Sequence, residues 1–365
     1  MRTVHDLETP ALLIDVDVME RNLRRVADYA RTHGLRLRPH TKTHKIPALA
    51  RRQVELGAAG VAVAKVTEAE VMVESGTPDL LIAYPVIGRS KLERLTRLAR
   101  RTKVTVAVDG MEAARPMAEA ARAAGVEIGV LAEADVGLGR MGVPAPDGIV
   151  ALSQELASLP GLRWEGVTFY PGHIKTTDAD GLSSLDALNR TVAEMLDALR
   201  SAGLSPGIVS GGSTPTLFES HNVRGMNEIR PGTYIFNDRN TVHCGACGPA
   251  DCAATILCTV VSTARPGRMM IDGGSKTFSS DRLSHGDDGT SGELLGAPTT
   301  RFFRMNEEHG YVDLDEGAPR FAVGDRVRVV PNHICVAVNL HERIYGVRGD
   351  EVVDEWRVEA RGKLQ

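Results

Sequence analysis

No apolar run in this 365-residue sequence approaches the roughly 20 residues that a helix needs to cross a bilayer, which excludes a helical membrane span. An excess of one charge is also missing. Against 43 Lys and Arg stand 47 Asp and Glu, a net charge of −4, so neither nucleic acid nor an anionic membrane is favoured as a partner. Cysteine is scarce: five residues in a chain of this length make no disulfide framework. Residues 1–15 lack the basic start and apolar core of a signal peptide, and a reducing, cytoplasmic setting is expected. Short repeats and low-complexity tracts are absent too. What is present is the ordinary balance of a globular protein, 42% hydrophobic and 25% charged residues. The length allows one large domain plus a smaller one, with a core that needs no staples.

Apolar runs alternate with amphipathic stretches over residues 1–240. Ala11–Asp15 reads as a strand, and Val18–Thr32 has helical spacing with Leu23, Val26 and Tyr29 on one side. Further runs end near Pro39, Lys65, Tyr84, Asp109, Glu133, Tyr170, Ser210 and Arg230, separated by helical stretches such as Leu92–Thr102, Ala113–Ala124 and Leu185–Ala202. Continuous runs such as Val104–Val108 and Ile128–Leu131 suit parallel strands buried on both faces. Eight strand ends with helices between them predict a (β/α)8 TIM barrel, and a doubly wound open sheet would need fewer strands. After about Asn237 the pattern changes, and Gly, Ser and Asp become frequent. Thr255–Thr263, Met269–Asp272, Arg326–Val330, Arg343–Val347 and Val352–Val358 predict an antiparallel β domain over 241–365, with which residues 1–15 could pair. Arg282–Ala297, rich in Gly, Ser and Asp, reads as a mobile loop or lid.

In such barrels the functional groups gather at the C-terminal ends of the strands. The first strand runs into Arg38-Pro-His-Thr-Lys42-Thr-His-Lys45. A lysine there faces the barrel mouth, where desolvation and nearby cations expose a nucleophilic amine that condenses with a carbonyl; a solvated basic loop is the other reading. The seventh strand ends at Ser210-Gly211-Gly212-Ser213-Thr214 and the eighth at Arg230-Pro-Gly232-Thr233. Glycines let backbone N–H groups approach a phosphate and the hydroxyls add donors, in the place where this fold often holds phosphate. A lysine after strand one and a phosphate cup after strands seven and eight describe a pyridoxal-phosphate site. Arg140, after strand five, could hold the cofactor's phenolate oxygen. Tyr170 and His173 follow strand six, and an aromatic ring there could pack on the pyridine.

A second candidate site is His333-Ile-Cys335, read as a strand in which alternate residues face one way. Imidazole and thiolate together suit zinc, and two ligands leave positions open for water or substrate. Half-buried His and Cys are also common in strands. The cluster of His243, Cys244, Cys247 and Cys252 has CxxC spacing but no second pair, and reads as reduced and unliganded.

These motifs together resemble the D-threonine aldolase and D-serine dehydratase group of alanine-racemase-like, fold-type III pyridoxal-phosphate enzymes. The resemblance runs from Glu8–Asp15 to Trp356–Gly362 through RPHTKTHK, DVGLGRMGV, YPGH, SGGSTP, EIRPGTY, NEEHG and VPNHICVAVNLH. It implies that Lys42 is the Schiff-base lysine and that Arg140 lies near the phenolate oxygen. Tyr170 would contact the cofactor, and Ser210, Gly211, Gly212, Ser213, Thr214, Gly232 and Thr233 would form the phosphate cup. Arg230 would face the pyridine nitrogen, and His333 with Cys335 would bind a divalent metal. Departures are instructive. The aldolases carry His-x-Asp at the metal pair and the dehydratases His-x-Cys, as here, whereas Asn339-Leu-His341 is aldolase-like. The family's catalytic histidine after strand six aligns with Thr176, which leaves His173 as the nearby substitute.

The resemblance implies a metal-assisted lyase acting on D-β-hydroxy amino acids, with D-threonine aldolase the leading reading. D-serine dehydratase and a 3-hydroxy-D-aspartate lyase or dehydratase are the alternatives. Zinc is the expected metal, with manganese or magnesium as options, and a homodimer is the expected assembly. A non-catalytic pyridoxal-phosphate carrier is a rival of a different class, although it would not need the β domain. An alanine racemase would place a catalytic tyrosine in the β domain, and Tyr311 and Tyr345, the tyrosines available there, match no such position.

Overall fold

The computed structural model describes residues 2–297 and 299–365. Two compact units divide the chain, both discontinuous in sequence. One comprises Val26–Lys42, Pro47–Gly232 and Gly362–Gln365, the other Met1–Arg25, Thr43–Ile46 and Thr233–Arg361. Among the described residues no helix is long and apolar enough to cross a membrane. The chain opens with strand β1 (Ala11–Asp15), which belongs to the second unit.

The first unit is a barrel of eight parallel strands. In chain order they are β2 (Arg36–Leu37), β3 (Val61–Val63), β4 (Asp79–Ile82), β5 (Lys103–Val108) and β6 (Ile128–Asp135), followed, after a short β7 (Val143–Pro144) that pairs with β6, by β8 (Leu162–Phe169), β9 (Ile208–Gly211) and β10 (Glu228–Ile229). Neighbours run β2-β10-β9-β8-β6-β5-β4-β3, and a parallel bridge between His40 and Ala62 closes the ring. Each of the eight apolar runs found in the sequence is a strand of this barrel. The reason is burial on both faces: Val104–Val108 of β5 and Ile128–Ala134 of β6 are buried throughout, so the sequence reads as continuous apolar stretches. The helices between them are one-sided. Met111–Ala124 buries Ala113, Ala114, Met117, Ala118 and Ala121, the spacing of a single helical face. A buried polar cluster links five of the strands or their ends. Arg38, 1% exposed, reaches Asp79 at 2.9 Å and Glu228 at 2.9 Å, while Lys103 reaches Asp79 at 3.1 Å and Glu165 at 3.0 Å.

The second unit is built on one sheet of β1 and eight later strands. These are β11 (Ala254–Ser262), β12 (Arg268–Ile271), β13 (Gly292–Leu294), β14 (Thr300–Met305), β15 (Gly310–Leu314), β16 (Arg326–Pro331), β17 (Arg343–Arg348) and β18 (Glu351–Arg357). The order is β12-β15-β14-β13-β16-β11-β1-β17-β18, and β12 also pairs with β11. Six strands thus close on themselves as a small barrel, and β1, β17 and β18 extend it. All pairs are antiparallel except β1 with β17. Val4, Leu7, Ala11, Leu13, Leu257 and Val347 form one buried cluster beneath β1.

Two sequence expectations fail in this unit. The segment Arg282–Ala297, read as a mobile loop or lid, has no helix or strand over 282–291, but its end forms β13, which pairs with β14 and β16. Its start is tied down as well. Arg239 Nη2 donates to Asp288 Oδ2 at 2.6 Å, and Arg239 Nη1 donates to Thr290 Oγ1 at 2.7 Å. The glycine that suggested flexibility at 292 is a packing requirement, since a Cβ there would come within 3.0 Å of the Val330 carbonyl oxygen. The second failure is the run after Asn332. It is a helix, Ile334–Leu340, and not a strand. Ile334, Ala337 and Val338 are its buried residues, which is helical spacing; an apolar run this short carries both periods.

Candidate active site

The barrel unit presents its candidate residues on the loops that follow its strands. After β2 the chain turns through Thr41 and Lys42; Thr41 is buried, with its hydroxyl donating to Glu68 Oε1 at 3.0 Å. Lys42 is exposed, and its backbone N–H meets His40 Nδ1 at 3.4 Å. Its amine therefore stands at a strand end on a fixed backbone and open to a carbonyl. Lys45, by contrast, is buried in the second unit with its amine 3.4 Å from the Ala360 carbonyl.

After β6, Asp135 folds the glycine-rich loop by accepting N–H bonds from Gly137 at 3.0 Å and Gly139 at 3.1 Å. These amides, led by Gly139, hold the Asp135 carboxyl below the usual carboxylate range. The loop ends at Arg140, whose guanidinium lies 4.8 Å from the centroid of the Tyr170 ring, a cation–π pair between the loops after β6 and β8. His173 packs against the same loop: a Cβ at Gly137 would sit 3.3 Å from its ring. The His173 Nδ1 is buried without a hydrogen-bond partner.

The ends of β9 and β10 are bonded to one another. Ser210 Oγ donates to Glu228 Oε1 at 2.7 Å and accepts from Arg230 Nη1 at 2.5 Å, while Arg230 Nη2 donates to the Phe169 carbonyl at 3.0 Å. Burial lowers the pKa of Arg230, against the pull of Glu228 and Glu133. Next comes the turn Gly211–Thr214. Gly212 has φ of +80°, a conformation that side-chain-bearing residues rarely adopt. Ser213 and Thr214 are buried, with Ser213 Oγ 3.1 Å from Thr216 Oγ1. Gly232 ends the barrel unit. Thr233, which the sequence places in the phosphate cup, belongs to the other unit, where its hydroxyl lies 3.6 Å from Cys335 Sγ.

Glu133, on β6, was not singled out as a functional residue by the sequence. It is buried, which raises its carboxyl pKa, and the charges of Arg230 and Arg140 oppose that rise. Its signal was available as the polar end of an otherwise apolar run. At the ends of β4 and β5 a cavity of about 300 Å³ is lined by Tyr84, Pro85, Ile87, Asp109 and Met141 among others.

The second unit holds the other candidates. His333 is the N-cap residue of the helix Ile334–Leu340, and Cys335 lies in its first turn. Both are set by Asp238, which the sequence reading missed. Asp238 Oδ2 lies 3.2 Å from His333 Nδ1 and accepts the Ile334 N–H at 3.0 Å. Asp238 in turn caps the helix Arg239–His243 by accepting the Thr241 N–H at 2.9 Å. Cys335 Sγ lies 3.2 Å from Thr43 Oγ1 and is hydrogen-bonded to the His333 ring. Burial would lower the His333 pKa, but Cys335 and Asp238 outweigh it and push it up to about 11. With Nδ1 held by a carboxylate, Nε2 is the nitrogen left for a metal, the usual arrangement of a metal-binding histidine. Among the described residues no group of three or more His, Cys, Asp and Glu side chains could hold a metal. His243, Cys244, Cys247 and Cys252 make no such group either.

Comparison with known proteins gives these residues a context. The profile of the alanine racemase N-terminal domain matches residues 14–240, and that of a putative serine dehydratase domain matches residues 253–347. The chain is 34% identical over 371 residues to 3-hydroxy-D-aspartate aldolase of Paracoccus denitrificans, covering 98% of this chain and 93% of that protein. The solved structure of D-threonine aldolase from Filomicrobium marinum superimposes with a TM-score of 0.91 at 35% identity, covering 100% of both chains. That of D-threo-3-hydroxyaspartate dehydratase from Delftia sp. HT23 has a TM-score of 0.90 at 31% identity, covering 98% of this chain and 99% of the other.

Proposed function

This chain belongs to the family that carries the alanine racemase N-terminal domain, and on that premise we propose that it is a pyridoxal-phosphate- and divalent-metal-dependent lyase of D-amino acids bearing a β-hydroxyl. The reaction we assign is cleavage of D-threonine to glycine and acetaldehyde. The observation that carries the reading is one chain holding two donor sets. A strand-end lysine with an arginine-covered tyrosine and a glycine turn comes from the barrel, and the pair His333 and Cys335, its histidine oriented by Asp238, comes from the β unit.

The residues suit the cofactor chemically. Lys42 offers an amine, Tyr170 an aromatic face, Arg230 a guanidinium for the ring nitrogen, and Gly211–Thr214 a turn of N–H and hydroxyl donors for phosphate. His333 Nε2 and the Cys335 thiolate suit a borderline-soft divalent ion such as zinc; manganese and magnesium prefer oxygen donors. When bound, the cofactor supplies an electron sink for a bond broken at Cα, and the metal supplies positive charge that acidifies a hydroxyl.

The chain's own residues account for the rest. Asp238 fixes the ring of His333 so that Nε2 is presented in one orientation. The Thr43 hydroxyl beside Cys335 can donate to the thiolate and disperse its charge. Arg140 holds the Tyr170 ring in place. His173, with a buried unpartnered nitrogen, is the group we assign to take the β-hydroxyl proton. Loss of that proton lets the oxygen become a carbonyl as the Cα–Cβ bond breaks. The bond's electron pair stays on Cα, which is protonated to give glycine. In a dehydratase, Cα–H would break instead and hydroxide would leave; the His-Ile-Cys sequence and the Delftia relative favour that as the second reading.

The test is to load the protein with pyridoxal phosphate and zinc or manganese and incubate it separately with D-threonine, D-serine and D-threo-3-hydroxyaspartate. Glycine and acetaldehyde from D-threonine support the aldolase. Ammonia with pyruvate or oxaloacetate from the other two replaces it with the dehydratase. No product from any of them overturns the lyase reading.

A further inference from the structure

Cys247 and Cys252 have no part in the chemistry above, yet the fold brings their side chains together. They flank the turn Gly248–Asp251, a 3-10 turn over Pro249–Asp251. The turn is locked from within: the Gly248 N–H donates to Asp251 Oδ2 at 3.0 Å, and the Cys252 N–H donates to the Pro249 carbonyl at 3.2 Å. It is also anchored from outside. Asn22 and Asn237 donate to the Asp251 carbonyl at 2.8 and 3.1 Å, and Arg21 pairs with the Asp251 carboxylate at 3.5 Å. Held this way, the two half-buried thiols lie at the two ends of one tight turn, close enough to influence each other's ionisation. Cys247 also donates to Thr241 Oγ1 at 3.5 Å.

Thr241 connects this pair to the candidate metal ligands. Its hydroxyl accepts the Asp238 N–H at 2.7 Å and donates to the Asp238 carbonyl at 2.8 Å. Asp238 is the residue that orients His333. A continuous set of hydrogen bonds therefore runs from Cys247 through Thr241 and Asp238 to His333.

We propose that Cys247 and Cys252 are a redox-active dithiol that a hydroperoxide closes to a disulfide, and that closure weakens divalent-metal binding at His333 and Cys335. The second half rests on the metal reading given above; the first does not. Cys252 beside it holds the Cys247 thiol below its ordinary pKa, which marks Cys247 as the attacking sulfur. Its thiolate attacks the peroxide oxygen, the O–O bond breaks, and an alcohol or water leaves with a sulfenic acid on Cys247. The Cys252 sulfur then attacks that sulfur and releases water. Two thiols lose two electrons and two protons in total, and the peroxide takes them up as one alcohol and one water. The new S–S bond draws Cys247 toward Cys252 and removes its donor from Thr241. Cys335 is the competing thiol, but bound metal would shield it.

The experiment treats the zinc-loaded holoprotein with stoichiometric hydrogen peroxide, maps its thiols by peptide mass spectrometry, and then measures zinc affinity by chelator competition. The inference expects a loss of two hydrogens mapped to a Cys247–Cys252 crosslink and reversed by dithiothreitol. Zinc binding should be weakened by about tenfold, the lower end of what loss of a supporting contact around a ligand costs. The Cys247→Ser protein keeps a hydroxyl donor for Thr241, and should fold, form no crosslink and hold its zinc affinity under peroxide. Absence of the crosslink, a crosslink elsewhere, or equal zinc affinity before and after closure would overturn the proposal. A reduced protein that binds no zinc would instead sink the metal reading, and the crosslink map alone would then decide whether the dithiol exists.

Discussion

Asp238→Asn separates the two jobs that Asp238 performs. One carboxylate oxygen caps the helix Arg239–His243 through the Thr241 N–H at 2.9 Å; the other faces His333 Nδ1 at 3.2 Å and the Ile334 N–H at 3.0 Å. Asparagine caps helices about as well as aspartate, so stability should change by only a few tenths of a kcal/mol through the cap. The negative charge beside Nδ1 disappears, and with it the contact that orients the imidazole and makes Nε2 more basic. Changes of this kind cost about 10- to 100-fold in metal affinity, or about 1.4 to 2.8 kcal/mol. Competition with a chromogenic chelator gives the zinc dissociation constant, and thermal unfolding of the metal-free protein gives the stability. Weakened zinc binding is expected together with a loss of about 1–3 kcal/mol of stability, because the amide nitrogen then faces the buried Ile334 N–H that the carboxylate accepted. An unchanged zinc affinity would refute the role given to Asp238.

Other outcomes follow from the same geometry. Borohydride reduction should bleach the yellow holoprotein and place the cofactor adduct on Lys42; an adduct on Lys45, which is buried and bonded to Ala360, would contradict the site. Arg38→Ala takes the buried guanidinium from Asp79, which keeps Lys103, and from Glu228, which keeps the Ser210 hydroxyl, and urea unfolding should report a loss of about 3 kcal/mol. Sedimentation at micromolar concentration should find a homodimer, and a monomer alone would remove that proposal.

The barrel was legible because parallel strands buried on both faces give unbroken apolar runs. Even β2 and β10, two residues long each, were found from the runs around them, and their ends carry Lys42 and Arg230. The β unit was less so. β13 and β14 alternate buried and exposed residues over short spans, and the glycines around them read as a loop. The Ile334–Leu340 helix hid in a run whose apolar residues fit both periods. Asp238 escaped because its contact with His333 spans 95 residues of chain, and no local pattern encodes such a pair. His333 and Cys335 were found by motif, but the reason for their proximity, a cap and first helical turn in place of one strand face, came only from the backbone.

If a bound divalent metal enables turnover while the barrel holds the cofactor independently, exhaustive chelation of the holoprotein separates the two, with glycine and acetaldehyde from D-threonine followed alongside the visible absorbance of the bound cofactor. Turnover should be lost while the absorbance stays, added zinc or manganese should restore turnover, and metal binding should weaken in acid as protons compete for the imidazole and thiolate. Full turnover by the chelated protein would contradict the metal requirement.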